Sequence, residues 1–240
     1  MSRAGERMDG AGCAVLVPVA REVEFETDRT LHELANLNYA VRYLRGGSQV
    51  DLVRSALASA ALRDGFAETL WVDADQTFTV ADVERLRLHN LPLVAGLYPK
   101  KGRPEFAGKF RDGTTSVKCG TSGGLLEMQY VGMGLTLIRA KVYEKIAAEF
   151  ALPACSGNYD PGLKITPYFL PMVVPENGGH CYLSEDYSFC YRARQAGIAI
   201  MADTTIRVGH IHRTVLTWDD FVPRQRFDGL EMGFEGLTAK

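Results

Sequence analysis

Apolar and polar positions along the first part of the chain follow two different periods, and their order predicts a layered α/β fold. Short apolar runs, which predict buried strands, cover residues 13–19, 39–43, 69–73 and 91–97. Apolar residues at helical spacing, which predict amphipathic helices, cover residues 27–36, 50–63 and 80–89. This alternation predicts a mainly parallel central sheet flanked by helices on both faces. In such a sheet, ligands bind outside the carboxyl ends of the strands.

The second half of the chain has a less regular pattern. It predicts, in order, a hairpin tip or loop over 111–124, a strand over 131–139, helices over 140–150 and 187–195, and short strands over 198–201 and 206–208. Residues 152–180 are rich in proline and glycine. Long irregular segments in a compact domain are usually functional, so we expect a substrate lid there. The expected helix N-caps are Thr27 or Asp28 for the first helix and Ser48 for the second.

Composition narrows the setting of the protein. The 240 residues carry a formal net charge of -2, which does not favour binding to bulk nucleic acid or to an anionic membrane. The sequence has no apolar run of transmembrane length, and its first residues lack the apolar core of a signal peptide. The 5 cysteines are scattered without a C-x-x-C pair, which is typical of reduced thiols. We therefore expect a cytoplasmic protein with a disordered tail over residues 1–12.

Two carboxylates, Asp73 and Asp75, follow the third predicted strand directly. In extended chain, residues i and i+2 point to the same side, so both carboxylates can bind one ion. Mg²⁺ and Mn²⁺ prefer such oxygen ligands, together with phosphate oxygens. A D-x-D pair also arises by chance as two solvated turn residues. Its position at the ligand-binding edge of the predicted sheet favours a metal site.

Two histidines, His210 and His212, follow the last predicted strand. Neutral imidazole is a good third ligand for Mn²⁺ or a similar ion. A histidine near the end of a strand is often structural, but the D-x-D pair favours a ligand role. Of the two, His210 is the preferred candidate.

Ser184, Glu185 and Asp186 open the helix predicted over 187–195. Acidic residues at a helix N-terminus are stabilised by the macrodipole, and serine is a favourable N-cap, so one interpretation is purely structural. The other is general base catalysis, in which a carboxylate takes the proton of an attacking hydroxyl. The sequence pattern is equally compatible with both.

Basic residues follow two of the predicted turns. Arg54 lies in the second predicted helix, and Lys100, Lys101 and Arg103 follow the fourth predicted strand, at the same edge of the sheet as Asp73. Cations there can neutralise a diphosphate leaving group, although solvated surface cations fit the pattern as well. The Walker A, G-x-G-x-x-G and G-x-S-x-G motifs are absent, which disfavours P-loop NTPases, Rossmann dehydrogenases and α/β-hydrolases.

Five segments, in order, resemble the motifs of GT-A glycosyltransferases, and most closely the small bacterial and phage-type members of the family-2-like group. They are residues 47–57, the D-x-D segment 70–78, the G-x-Y-P-K segment 94–101, the V-G-x-G segment 131–139, and 185–197 followed by Asp203 and His210. Thr79 departs from the proline that relatives often carry after the aromatic residue. Together the segments cover most of residues 13–212.

The resemblance implies an enzyme that moves a sugar from a nucleotide-diphosphate donor to an acceptor hydroxyl on a saccharide, natural product, lipid or protein. It implies that Mn²⁺ or Mg²⁺ is held by Asp73, Asp75 and His210. It implies that Asp186 is the base of an inverting reaction, with Glu185 beside it. The residues it places around the donor are Ser48, Arg54, Asp73, Tyr98, Lys100, Lys101, Met133 and Gly134.

The resemblance also implies a single Rossmann-like GT-A domain over residues 13–240. Its expected parts are a nucleotide-binding half (13–97), an acceptor half (98–213) and a C-terminal extension (214–240). In the extension, Trp218, Phe221 and Phe227 are expected to close over the site or to form a homodimer contact. The alternatives are a nucleotidyltransferase, a metal-dependent phosphohydrolase and a nucleotide-sugar-binding module without turnover. The sequence leaves open the sugar, the base, the acceptor and whether the reaction inverts or retains configuration.

Overall fold

A computed structural model describes residues 9–102, 105–157, 160, 162–176, 178–212 and 229–233. The helices within these residues are α1 Phe25–Ala35, α2 Val50–Arg63, α3 Val80–Leu88, α4 Ala140–Glu149 and α5 Glu185–Gln195. The strands are β1 Cys13–Val19, β2 Ala40–Arg45, β3 Glu68–Val72, β4 Gln76–Thr77, β5 Leu93–Gly96, β6 Gly108–Phe110, β7 Ser116–Gly120, β8 Leu125–Val131, β9 Leu135–Arg139, β10 Cys155–Ser156, β11 Lys164–Ile165, β12 Met172–Glu176, β13 Gly179–Leu183, β14 Ile200–Asp203, β15 Gly209–His210 and β16 Gly229–Gly233.

Eight strands form one sheet in the order β2-β1-β3-β9-β5-β14-β8-β6. β9 and β8 are antiparallel to both of their neighbours, which leaves the other six strands pointing in one direction. Strands from the two halves of the chain interleave in this sheet, since β9 lies between β3 and β5. The predicted α/β fold, with a mainly parallel sheet flanked by helices, is confirmed.

The sheet is buried on both faces, which explains the unbroken apolar runs of its central strands. Along β1, Ala14 and Leu16 face one core, and Val15 and Val17 face the other, as the alternation of a strand requires. Helices α2, α4 and α5 cover the first core, and α1 and α3 cover the second. The strand ends and the loops that follow them are therefore left to form a site.

The expected N-caps of the first two helices are wrong. α1 begins at Phe25, so Thr27 and Asp28 lie inside the helix. The buried Thr27 hydroxyl donates to the Gln76 carbonyl at 2.8 Å. α2 begins at Val50 after Gln49, so Ser48 lies outside the helix. Both helices begin without a side-chain cap bond, and burial of their apolar faces supports them instead.

The strand predicted over 131–139 is two strands in different parts of the sheet. β8 ends at Val131 between β14 and β6, and β9 begins at Leu135 between β3 and β5. The break falls at Gly132 and Gly134, where the Tyr98 ring leaves no room for a side chain. A Cβ would lie 2.2 Å from the Tyr98 Oη at Gly132 and 2.7 Å from its Cζ at Gly134.

The segment 152–180 is more ordered than a loop. It contains the pair β10–β11 and most of the pair β12–β13. Residues 206–208 do not form the expected strand; the next strand is β15, which pairs with β4 beside the D-x-D segment. Within 111–124, β7 pairs with β16 of the C-terminal extension.

Some expectations fall on residues that the structure does not describe. Arg103, Trp218, Phe221 and Phe227 lie outside the described residues, as do residues 1–8 of the predicted tail. In the described remainder of that tail, the Gly10 N–H donates to the Leu37 carbonyl at 3.1 Å. None of the described helices is long and apolar enough to cross a membrane.

The carboxylate of Asp203 joins the end of β14 to helix α3. Its side chain is 1% exposed and accepts hydrogen bonds from Arg85 Nε at 2.6 Å, His89 Nε2 at 2.8 Å, and both the N–H and the hydroxyl of Thr205 at 2.8 and 2.5 Å. Burial by itself raises the pKa of Asp203, but the hydrogen bonds from Thr205, His89 and Arg85 outweigh it and lower that pKa from 3.8 to about 2. Asp203 belongs to one of the segments that resemble GT-A motifs. In the structure it links the end of β14 to α3 and to the residue after it.

We expect Asp203→Asn to lower the free energy of unfolding at neutral pH by roughly 2 kcal/mol, because Arg85, His89 and Thr205 lose an ionised acceptor that is itself buried. A carboxyl whose pKa is lower in the folded state stabilises the fold above its unfolded pKa of 3.8, and this contribution disappears as the pH falls to about 2. Urea unfolding at neutral pH and near pH 2 measures both effects. Asp112→Asn, at an exposed aspartate, is the control, and an equal loss at both pH values would contradict the assignment.

Candidate functional site

A cavity of about 630 Å³ opens at the carboxyl ends of β1 and β3, where the parallel part of the sheet should bind a ligand. Its size is within the range of small-molecule sites. Its charged and imidazole-bearing lining residues are Arg21, Glu22, Glu24, Arg54, Asp73, Asp75, Lys101, His210 and His212. Its remaining lining residues are Pro18, Val19, Ala20, Gly47, Val50, Val53, Ala74 and Ile211.

The D-x-D pair lies in a turn, not in extended chain. β3 ends at Val72, and the Gln76 N–H donates to the Asp73 carbonyl at 3.2 Å, which closes a turn over residues 73–76. The expectation of two carboxylates side by side on one strand face is therefore wrong. Asp73 and Asp75 instead contact different cationic side chains.

Arg54 is a buried cation that contacts Asp73. It projects from α2 with 5% of its side chain exposed, donates from Nη2 to Asp73 Oδ1 at 2.8 Å, and stacks over the Trp71 ring at 5.5 Å. Its Nε lies 3.7 Å from Glu185 Oε1. Burial by itself lowers the pKa of Arg54, but Asp73 and Glu185 outweigh it and raise that pKa above its usual value. Among the described residues, its Nε and Nη1 have no hydrogen-bond partner.

Asp75 faces a lysine and a histidine. Its Oδ2 contacts Lys101 Nζ, and its Oδ1 lies 3.6 Å from His210 Nε2. His210 Nδ1 is 2.9 Å from the Pro99 carbonyl, which can only accept, so Nδ1 carries a proton. In neutral imidazole the other nitrogen is then an electron-pair donor, and it faces a carboxylate oxygen. A carboxylate oxygen and an imidazole lone pair repel each other unless a cation or a proton lies between them.

Tyr98 supports Asp73 and His210 from outside the cavity. Its hydroxyl accepts the Gly134 N–H at 3.0 Å, and the Gly134 carbonyl accepts the Asp73 N–H at 3.1 Å. Its ring meets the His210 ring edge to face, with centroids 5.4 Å apart. Burial raises the pKa of Tyr98, so the hydroxyl stays protonated. Tyr98 and Gly134 thus position the site without lining the cavity.

Glu185 and Asp186 begin α5 on the far side of Arg54. Asp186 Oδ1 accepts the Tyr187 N–H at 2.8 Å and the Ser184 hydroxyl, which fixes the orientation of its carboxylate. Glu185 is 19% exposed, and burial, followed by the neighbouring Asp186, raises its pKa. A carboxylate with a raised pKa is a stronger base at neutral pH. The macrodipole and proton-transfer interpretations of this pair both fit the geometry.

The structure brings together part of the expected set. The expected residues that line the cavity are Arg54, Asp73, Asp75, Lys101 and His210. Those that do not are Ser48, Tyr98, Lys100, Met133, Gly134, Glu185 and Asp186. Lys100 Nζ contacts Glu105 Oε2 at 3.0 Å, and Met133 belongs to the core with 1% exposure.

Arg54 forms an ion pair with Asp73, which is one of the three expected metal ligands. Within the part of the chain that the structure describes, no group of three or more histidine, cysteine or carboxylate side chains is arranged to hold a metal ion. Asp73 is occupied by Arg54, so Asp75 and His210 are the pair that faces a common point.

Sequence reasoning missed the wall of the cavity formed after β1. No binding role was predicted for the residues at the end of β1 and after it that line the cavity, which are Pro18, Val19, Ala20, Arg21, Glu22 and Glu24. The signal was available, because β1 is parallel to β3 and its carboxyl end must lie at the same edge as Asp73.

We expect Arg54→Met to lower the free energy of unfolding by about 3 kcal/mol, because it leaves Asp73 and Glu185 without their buried cation. The double variant Arg54→Met/Asp73→Asn should recover part of this loss, since the unpaired carboxylate is removed as well. Urea unfolding of the two single variants and the double variant measures the coupling.

The matched control is Arg42→Met. Arg42 contacts Asp64 at 2.6 Å, but the two side chains are 29% and 33% exposed, so the loss should be below about 1 kcal/mol. Equal losses at Arg54 and Arg42, or no recovery in the double variant, would show that burial does not strengthen the Arg54 pair.

Comparison with known proteins gives a likeness in fold. No family model matches the chain, and no curated protein matches its sequence. The crystal structure of A197 from STIV aligns with a TM-score of 0.54 at 16% identity, over 84% of this chain and 86% of that one. The crystal structure of GalNAc-T7 with UDP, GalNAc and Mn²⁺ aligns with a TM-score of 0.42 at 15% identity, over 84% of this chain and 44% of that one. This TM-score is too low to show a shared fold. The chain thus shares its α/β fold with A197.

Proposed function

We propose that this chain is a GT-A glycosyltransferase, which moves a sugar from a nucleotide-diphosphate donor to an acceptor hydroxyl. The observation that carries the proposal is the cavity at the carboxyl ends of β1 and β3. It places the cationic groups of Arg54 and Lys101 next to the facing pair of Asp75 and His210. The five-segment resemblance in the sequence supports the same reaction.

The cationic side of the cavity suits a diphosphate. Arg54 is buried, and its Nε and Nη1 have no hydrogen-bond acceptor among the described residues; a buried donor of this kind is stabilised by an anionic acceptor. Lys101 lines the same cavity, with 39% of its side chain exposed. The apolar wall formed by Pro18, Val50 and Val53 provides a surface for the nucleoside.

The facing pair of Asp75 and His210 fits a divalent cation. A carboxylate oxygen and an imidazole nitrogen are ligands that Mn²⁺ accepts, and the hydrogen bond from His210 Nδ1 to the Pro99 carbonyl orients the other ring nitrogen. In this proposal Asp75 and His210 would hold Mn²⁺ or Mg²⁺ next to the donor diphosphate. The ion would stabilise the negative charge of the diphosphate leaving group. Asp73 contributes through Arg54.

The acceptor hydroxyl is proposed to lie near the start of α5. There Asp186, whose carboxylate is oriented by Ser184 and the Tyr187 N–H, would take the hydroxyl proton. If Asp186 itself attacks no carbon, the configuration at the sugar carbon inverts. Glu185 joins this carboxylate to the donor side through Arg54. The saccharide, natural-product, lipid and protein acceptors all present the required hydroxyl.

A panel of nucleotide-sugars with Mn²⁺ tests the proposal. We expect one donor to raise the melting temperature and to release nucleoside diphosphate slowly, because water replaces the missing acceptor. Asp75→Asn should reduce this release by about 100-fold or more, through loss of charge stabilisation at the diphosphate. Asp112→Asn, the same change at an exposed aspartate, should retain it.

Other outcomes identify other functions. Release of inorganic phosphate would indicate a phosphohydrolase, and formation of a nucleotide-sugar from a nucleoside triphosphate would indicate a nucleotidyltransferase. Tight binding without turnover would indicate a binding module. If no nucleotide-sugar stabilises the protein in the presence of Mn²⁺, the proposal is rejected.

A further inference from the structure

Asp75 is already neutralised by a cation from its own chain. Lys101 Nζ contacts Asp75 Oδ2, while Asp75 Oδ1 lies 3.6 Å from His210 Nε2. The side chains of Lys101 and Asp75 are 39% and 29% exposed, so the pair lies in the cavity wall within reach of solvent. Ion pairs with this exposure are weak and exchange readily. The lysine ammonium therefore stands at the carboxylate that a divalent cation would need.

The backbone just before Lys101 is held in place, since the Lys100 N–H donates to the Glu105 carbonyl at 2.7 Å, so an exchange at Asp75 needs the movement of one side chain. The Tyr98 carbonyl accepts the Ala107 N–H at 2.8 Å, which closes the base of the loop. The loop also holds His210 through the Pro99 carbonyl. Beyond this base, Lys101 has a flexible four-carbon stem. Its ammonium can leave Asp75 while the histidine stays in position.

The charges of the cavity make such an exchange favourable. A divalent cation and an ammonium at one carboxylate repel each other, so they compete for Asp75 when no anion is present. A diphosphate carries several negative charges and can be contacted by both cations together. We propose that Lys101 is a displaceable counter-cation, which holds Asp75 in the ligand-free protein and moves to the donor diphosphate when a divalent cation takes its place. This inference rests on the proposed function.

Lys101→Ala tests the exchange because it should change two affinities in opposite directions. Mn²⁺ alone should bind roughly fivefold more tightly, since its competitor at Asp75 is gone. Inorganic pyrophosphate, titrated in saturating Mn²⁺, should bind roughly fivefold more weakly, since a phosphate contact is gone. Paramagnetic resonance of free Mn²⁺ and titration calorimetry of pyrophosphate measure the two affinities without turnover.

Lys109→Ala is the matched control. Lys109 is also paired with one carboxylate, Glu176, at 3.1 Å, and is 45% exposed, but it does not line the cavity. It removes the same charge from the protein and should leave both affinities at the wild-type value. It therefore separates a local effect at Asp75 from the effect of net charge.

The outcomes divide as follows. If Lys101→Ala weakens both affinities, the lysine supports the site structurally and the exchange is rejected. If it matches Lys109→Ala in either affinity while Mn²⁺ still binds, the exchange is rejected and the metal site of the proposed function is retained. If Mn²⁺ binds to none of the three proteins, the proposed metal site is rejected, and the exchange with it.

Discussion

A guanidinium with 5% exposure has to be neutralised, and this requirement at Arg54, which lines the cavity, organises the site. Asp73 arrives from the end of β3 and Glu185 from the start of α5, and both contact the same side chain. The turn that carries Asp73 and helix α5 are thus both held to one element, α2. A change at any of these three residues disturbs the other two, because each carries charge that the others balance. Arg54 Nε and Nη1 have no hydrogen-bond acceptor among the described residues, which leaves this cluster suited to an anion.

Close packing of Tyr98 supplies the second constraint, and it is steric. The ring occupies the space where side chains at residues 132 and 134 would be, and its hydroxyl then reaches the Gly134 N–H. This contact orders the backbone that accepts the Asp73 N–H, while the ring edge contacts His210. The backbone of Asp73 and the ring of His210 therefore both rest on one aromatic residue. Glycine at these positions reflects the approach of Tyr98, whereas the V-G-x-G pattern alone is equally compatible with a close approach of substrate.

The sequence predicted the α/β class, most helices and the edge of the sheet that carries the cavity, since periodicity and strand order are local signals. Asp73, Asp75, Arg54, Lys101 and His210 were identified for the same reason: each follows a predicted strand or lies in the helix after one. The strand expected before His210 does not form, but the residue still lies at the cavity. What escaped prediction depends on contacts between distant parts of the chain. The division of 131–139 into two strands depends on Tyr98. Asp73 and Asp75 contact different cations because Arg54 lies at one carboxylate and Lys101 at the other. The weak two-residue strands around His210 carry too few residues for a periodic signal.

The position of β9 between β3 and β5 has a consequence for the order of assembly. Asp73 takes its backbone partner from Gly134, which precedes β9, and β5 joins the sheet only through β9 and β14. Pairings between strands so distant in the chain form slowly, because loop closure has to precede them. As the chain is synthesised, the first half emerges with a gap in its sheet and without the groups that complete the cavity. The edge of the sheet that carries the cavity therefore forms only after β9, β14 and His210 have left the ribosome.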